Sequence, residues 1–329
     1  MKKDEFILSG VKNLILVGNG FDIWQGLPTS YNNFKEYYQN NKVRIAKQLH
    51  IKPIILKDEN GLDFEINYIE LFYGFLKDKN ISINNHDSTE ILNAEFWSDF
   101  ENNLFYLNDY YINLYFGKEK SDLRRMKRAI KKLRLLLTEL FCQWIQSINV
   151  SEQKSEYNFK DCLFINFNYT STLQKRFRVD KLVDYHIHGS AENKKSIVFG
   201  HNNNENNILI SLRKTAGRLK GLAQIAMAQF MLNKHPDIQI EKLLSFHLDY
   251  GSICAGIKDI YCLGLSFGDA DFEYFNTFND AYPNAHWHIS YHSPKDKTKI
   301  LKVMQKIKNT NFELVKDIPA AIEPFKIKD

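Results

Sequence analysis

Apolar residues follow two rhythms along this chain. Residues 14–17 (LILV) are apolar without alternation, which predicts a strand buried on both faces of a parallel sheet. Further short apolar stretches predict strands at 162–167, 182–188, 196–200, 258–264, 286–291 and 312–315. Elsewhere the apolar positions recur every three or four residues. That spacing predicts helices over 32–40, 66–76, 89–115, 121–148, 214–232, 238–249, 271–281 and 294–308. Thr29 and Ser30 are candidate N-caps for the first helix. Residues 51–63, with Pro53 and Gly61, are either irregular or a short hairpin. Strands alternating with helices give a Rossmann-like α/β fold with a mainly parallel sheet and right-handed crossovers. Residues 30–160 then form a helical insertion after the first strand, within one domain spanning 1–329.

Composition narrows the picture modestly. The 329 residues are 44% hydrophobic and 25% charged, ordinary for a soluble globular chain with a substantial core. No apolar run approaches the ~20 residues of a membrane helix. The start, Met1-Lys2-Lys3-Asp4-Glu5, is not followed by a signal-peptide core, so a cytoplasmic location without membrane contact is expected. Cys142, Cys162, Cys254 and Cys262 lack Cys-x-x-Cys spacing, so no zinc cage or disulfide framework is expected, and buried thiols are. The net charge of +5 is too small to argue for nucleic acid. Arg124, Arg125, Lys127, Arg128, Lys131, Lys132 and Arg134 crowd one predicted helix. They form a solvated face, or a surface for nucleic acid or an acidic partner; no aromatic residues interleave to make a stacking platform.

Candidate chemistry falls at the ends of predicted strands, where open α/β sheets bind ligands. Gly18 and Gly20 follow the first strand, and such a turn either brings backbone N–H groups to an anion or is simply tight. A Rossmann fingerprint would have a third glycine at position 23, where Ile23 stands; Gly26-Leu27-Pro28 comes later. If the turn binds a ligand, Gly20→Val should block it without unfolding the core. Asn168 follows the second strand and can donate to and accept from a ribose hydroxyl, or cap the next helix. His188, before Gly189, should protrude at the end of the third strand, with His186 deeper on the same face. A histidine there can act as general base, or be a metal ligand or a structural residue. No carboxylate–histidine cluster at metal spacing accompanies it, and no metal is expected. Gly264, Ser266 and Asp269 form a further loop at a strand end. Trp97 and Glu101, four apart on a predicted helix, share a face that is either solvated or turned into a cleft.

Five stretches carry a resemblance: 14–31 (LILVGNGFDIWQGLPTSY), 95–104 (EFWSDFENNL), 164–173 (FINFNYTSTL), 186–190 (HIHGS) and 261–271 (YCLGLSFGDAD). Together and in this order they resemble the bacteriophage abortive-infection AbiH family, across nearly the whole chain. That family looks like a distant relative of sirtuin-like NAD-binding domains. The resemblance implies a nucleotide loop of Gly18, Asn19, Gly20, Phe21, Asp22, Gly26 and Pro28. It also implies a catalytic pair of His188 and Asn168, an adenosine-ribose loop at Gly264 and Ser266, and further cofactor contacts from Tyr169, Gly189 and Asp269. The chain departs from sirtuins at Tyr31, where they have arginine, at Thr170, where they have aspartate, and at Asp22, where they have serine. Without the zinc-binding cysteine pairs, protein deacetylation is not expected.

The resemblance therefore implies a phage-defence effector that binds NAD as substrate and hydrolyses its nicotinamide–ribose bond. Asn168 would position ribose or water and His188 would take the proton. The alternatives are a non-catalytic nucleotide sensor and an effector acting on nucleic acid through the basic helix, the latter weakly supported. The partner, a second copy or a separate defence-system protein, stays open.

Overall fold

The computed structural model describes residues 10–52, 54–57, 63–66, 120–153, 155–198, 236–249, 256–268 and 271–327. The chain forms two compact units. One comprises Met1–Thr29, Ile145–Val198 and His235–Asp329; the other comprises Ser30–Trp144 and Phe199–Lys234.

The first unit is built on a six-stranded sheet. Its strands are β1 (Asn13–Val17), β4 (Cys162–Asn166), β5 (Asp184–His186), β6 (Asp259–Leu263), β7 (His286–Tyr291) and β8 (Phe312–Lys316). They lie in the order β5-β4-β1-β6-β7-β8, every pairing parallel. Numbered by appearance within the sheet this is 3-2-1-4-5-6, the doubly wound Rossmann order. The central strands are the most apolar because both faces are covered. Leu14–Val17 and all of β4 are buried, as are Ile260, Cys262 and Leu263. The outer strand β8 has no fully buried residue. Trp287 and Ile289 extend the core toward that edge. The described α-helices that lie wholly in this unit are α1 (Asn19–Trp24), α4 (Thr172–Phe177), α5 (Pro236–Asp249), α6 (Phe272–Ala281), α7 (Pro294–Lys306) and α8 (Ile318–Ala321).

In the second unit, α2 (Tyr31–Gln48) starts at a capping box: the Ser30 hydroxyl accepts from the Asn33 N–H, and the Asn33 side chain accepts from the Ser30 N–H. Ser30 is therefore the cap, and the helix runs past the expected residue 40. β2 (Ile54–Lys57) and β3 (Asp63–Ile66) pair antiparallel, so the hairpin alternative holds for residues 51–63. Helix α3 spans Lys120–Ser147, of which residues up to Trp144 belong to this unit. Phe34, Phe141 and Trp144 form an aromatic cluster with ring centroids 5.2–5.4 Å apart. Of the helix expected at 66–76, Ile66 instead ends β3 and the rest lies outside the described residues, as do the helices expected at 89–115 and 214–232 and Trp97 and Glu101.

Two expected strands are corrected. Residues 182–188 do not form one long strand. Lys181–Val183 is a 3-10 turn capped by the Asp180 side chain, and β5 holds only Asp184–His186. The chain turns away afterwards because the Gly189 N–H donates to the His186 carbonyl, with Gly189 at φ +78°. Of the strand expected at 196–200, residues 199 and 200 lie outside the described residues, and 196–198 are not strand: Lys194–Ser196 is a 3-10 turn, and only the Val198 N–H reaches back, to the His188 carbonyl.

Candidate functional site at the strand ends

The strand order reverses between β1 and β6, so the loops after these strands meet at the switch point. They meet backbone to backbone. The Gly18 N–H donates to the Leu263 carbonyl at 2.9 Å, and the Gly20 N–H donates to the Gly264 carbonyl at 2.8 Å. A Cβ on Gly18 would stand 2.7 Å from the Gly264 oxygen, and one on Gly20 would stand 2.8 Å from the Gly264 Cα. A Cβ on Gly264, at φ +64°, would stand 2.3 Å from the Phe21 nitrogen. The three glycines are thus required by loop-on-loop packing. Gly20→Val would break this contact, which corrects the expectation that it spares the folded protein.

The loop after β4 is tied to the same place. The Asn168 Nδ2 donates to the Gly18 carbonyl at 3.0 Å, and its N–H donates to Asn166 Oδ1 at 2.9 Å. Asn168 is buried and acts as a brace between two loops. The neighbouring Tyr169 hydroxyl donates to the Val198 carbonyl at 2.9 Å. Asn19 Nδ2 donates to the Thr29 carbonyl. Gly26, at φ +73°, follows α1 with open space beside it, and Pro28 is exposed. Ser266 is exposed on the loop after β6, and Asp269 lies outside the described residues.

His188 does not protrude. It is 2% exposed, because the chain has turned off the sheet and folded its ring among Phe167, Tyr169 and Tyr274, with centroids 5.5, 6.3 and 5.7 Å away. Its Nε2 faces Asp271 Oδ1 at 3.9 Å. Gly189 permits the turn: a Cβ there would stand 2.1 Å from the Ser196 carbonyl oxygen.

Beneath these loops lies a buried polar network that sequence reasoning missed. Asp22 is 1% exposed and points inward. Its Oδ2 accepts from the Thr170 hydroxyl at 2.6 Å, while Oδ1 is buried with no hydrogen bond. Burial pushes the Asp22 carboxyl above the usual carboxylate range. Hydrogen bonds from Thr170 and Thr172 and the charges of His186 and Arg176 pull it down without cancelling that effect. Arg176 Nη1 donates to the Gln25 carbonyl and side chain. On β5, Asp184 Oδ2 accepts from Gln174 Nε2 and from Asn166 Nδ2, and pairs with His186 Nε2 at 3.3 Å. His186 Nδ1 reaches the Asn168 carbonyl at 2.8 Å. Burial, the largest influence on His186, works downward. The Asp184 hydrogen bond and charge, with the Asn168 carbonyl, outweigh it and hold the ring above its usual value. Both His186 nitrogens are therefore engaged, one by the Asp184 carboxylate and the other by the Asn168 carbonyl. The signal available in sequence was a carboxylate and an imidazole at i, i+2 within an otherwise apolar stretch.

The cysteines among the described residues behave as expected. Cys142, Cys162 and Cys262 are free and buried, and burial pushes the Cys162 thiol up to about 12. On α3, Lys131 is exposed and Leu133, Leu136, Leu137 and Leu140 are buried; the side chains of residues 120–130 lie outside the described set. No described helix is long and apolar enough to cross a membrane.

Strand order and the gathering of polar residues at one sheet edge define a Rossmann-ordered α/β protein with its candidate site at the topological switch point. The family model for bacteriophage abortive infection AbiH matches residues 14–291. The chain belongs to the AbiH family, and its role is in phage abortive infection. Comparison with curated proteins gives no match.

Proposed function

We propose that this protein is the effector of abortive infection and that it binds NAD at the switch-point edge and hydrolyses the nicotinamide–ribose bond. Nicotinamide leaves with the bonding electrons, a water oxygen adds at C1′, and the water's proton passes to His188, giving ADP-ribose. His188, with Asp271 3.9 Å away, is the general base, and Asn168 acts by holding Gly18. The observation that carries this reading is the convergence of the loops after β1, β4 and β6, tied by Asn168 to Gly18 and by Gly20 to Gly264. The sirtuin-like spacing of Gly18, Gly20, Gly26, Pro28, Asn168 and His188-Gly189 supports the choice of nucleotide. The enclosed His188 ring fits a resting state: the base works only once Phe167, Tyr169 and Tyr274 move aside, and infection supplies that step. An enzyme that consumed NAD constitutively would kill its host.

A second reading, nucleotide binding without cleavage, is favoured by the same enclosure and by the engagement of the Asn168 amide and the Gly20 N–H with main chain. Nicotinamide release in infected cells separates the two. The wild type should release nicotinamide, and His188→Ala should lower release by roughly 10²–10⁴ while an NAD-induced rise in Tm survives. A Tm rise without nicotinamide release would establish the binding-only reading. Neither a Tm rise with NAD or ADP-ribose nor NAD loss during infection would overturn both.

A further inference from the structure

The opposite, N-terminal edge of the sheet carries a second cluster. Asp259 and His286 open β6 and β7 in register, and His288 pairs across β7–β8 with Glu313. The two-residue period puts His286 and His288 on one face of β7. His286 Nδ1 meets Asn311 Oδ1 at 2.8 Å. His288 Nε2 meets Asp259 Oδ1 at 3.1 Å, and its Nδ1 meets Glu313 Oε1 at 2.6 Å. One ligand atom each from His286, His288 and Glu313 lies within 4.8 Å of the others. The Tyr261 ring stacks on His288 at 4.4 Å and 11°, fixing its plane.

We propose that His286, His288 and Glu313 bind a divalent transition-metal cation of the zinc type. An imidazole that ligates a metal nearly always gives its other N–H to a carboxylate or carbonyl oxygen. Both rings have that partner: Asn311 for His286, leaving Nε2, and Asp259 for His288, leaving Nδ1. The freed Nδ1 lone pair then faces a carboxylate oxygen at 2.6 Å, an arrangement that requires a positive centre between them, a proton or a cation. A third donor, His286, stands beside that gap, which a proton does not use and a cation does. Ligand atoms around a tetrahedral zinc ion at about 2.1 Å are about 3.4 Å apart. Glu313 must draw back by less than 1 Å, which its 55% exposed side chain allows, and donor atoms that stand up to 4.8 Å apart must close by about 1.4 Å. Two imidazoles with one carboxylate suit zinc and its first-row neighbours, whereas magnesium and calcium take oxygen ligands. The site spans β7 and β8, with Asp259 on β6 behind it, about 15 Å along the strands from the switch-point loops. It therefore cross-links the outer strands and does not belong to the proposed hydrolysis.

The test is a titration of the tag-free full chain, first stripped with EDTA and desalted. Zinc should bind with one equivalent per chain at micromolar affinity or tighter and raise Tm, and Co²⁺ should give a visible d–d absorption. His286→Ala and Glu313→Gln should each weaken zinc binding tenfold or more. His292→Ala, at the exposed His292–Asp317 pair, should leave it unchanged. Glu313→Gln alters an exposed side chain, so it keeps the comparison valid should His286→Ala fold poorly. No binding at about 100 µM zinc, or unchanged binding in Glu313→Gln, would overturn the proposal.

Discussion

The two edges of one sheet set histidines against carboxylates in opposite environments. At the C-terminal edge the Asp184 side chain is fully enclosed and His186 is 16% exposed. At the N-terminal edge Asp259 and Glu313 are 35% and 55% exposed around His288. Water cannot compensate a buried carboxylate, so neighbours must. Asn166, Gln174 and His186 all converge on one Asp184 oxygen, and the loops above lock together through glycine backbones. At the open edge, water and salt screen each pair, so the same residue types carry little fold stability and remain available to a ligand. Residue identity is shared between the edges; burial decides whether it serves architecture or binding.

The sharpest way to break the enclosed edge is at its glycines. Gly264→Ala must leave φ +64° or push the Phe21 nitrogen away, so it should destabilise by about 3 kcal/mol or more. Chemical denaturation measures this, and a loss below about 1 kcal/mol would mean the loops part easily. The next effect is electrostatic. Burial raises the Asp22 carboxyl, so its contribution to stability is complete below the unfolded value near 3.9 and is lost as pH rises through the higher folded value. Asp22→Asn removes that loss. Its stability relative to wild type should climb as pH increases from about 4 toward neutrality, the reverse of what a salt-bridged surface aspartate does. Denaturation midpoints across that range decide it, and a flat difference would mean that Asp22 ionises as it does in the unfolded chain. The smallest effect belongs to the open edge. In metal-free protein, Glu313→Gln should shift stability by no more than about 1 kcal/mol, and raised salt should shrink even that. A larger loss would mean that the exposed pair is structural after all.

Much of the C-terminal edge was legible in the chain. Unbroken apolar runs located β1, β4 and β6, because a strand covered on both faces tolerates only apolar side chains. Punctuating glycines and Asn168 marked where those strands end. The third strand is shorter than its apolar pattern suggests: Leu182 and Val183 look strand-like locally, while the Asp180 cap and the Gly189 turn decide against it. His188 was placed at an edge but not under its aromatic cover. That cover includes Tyr274, which is remote in sequence and arrives only through packing.

The sequence by itself determined the class of fold, the strand ends that carry polar chemistry, and the family motifs, since each is written in local hydrophobic period or in adjacent residues. Tertiary structure alone decided the strand order, the inward turn of Asp22 onto Thr170, and the role of three glycines as a contact between loops. It also decided the meeting of His288 with Glu313 and Asp259, which lie 25 and 29 residues away along the chain. The physical reason is common to all of these. Local pattern reports whether a residue is buried and how its backbone bends, whereas neighbours across a parallel sheet are assigned by register between strands that the chain visits far apart.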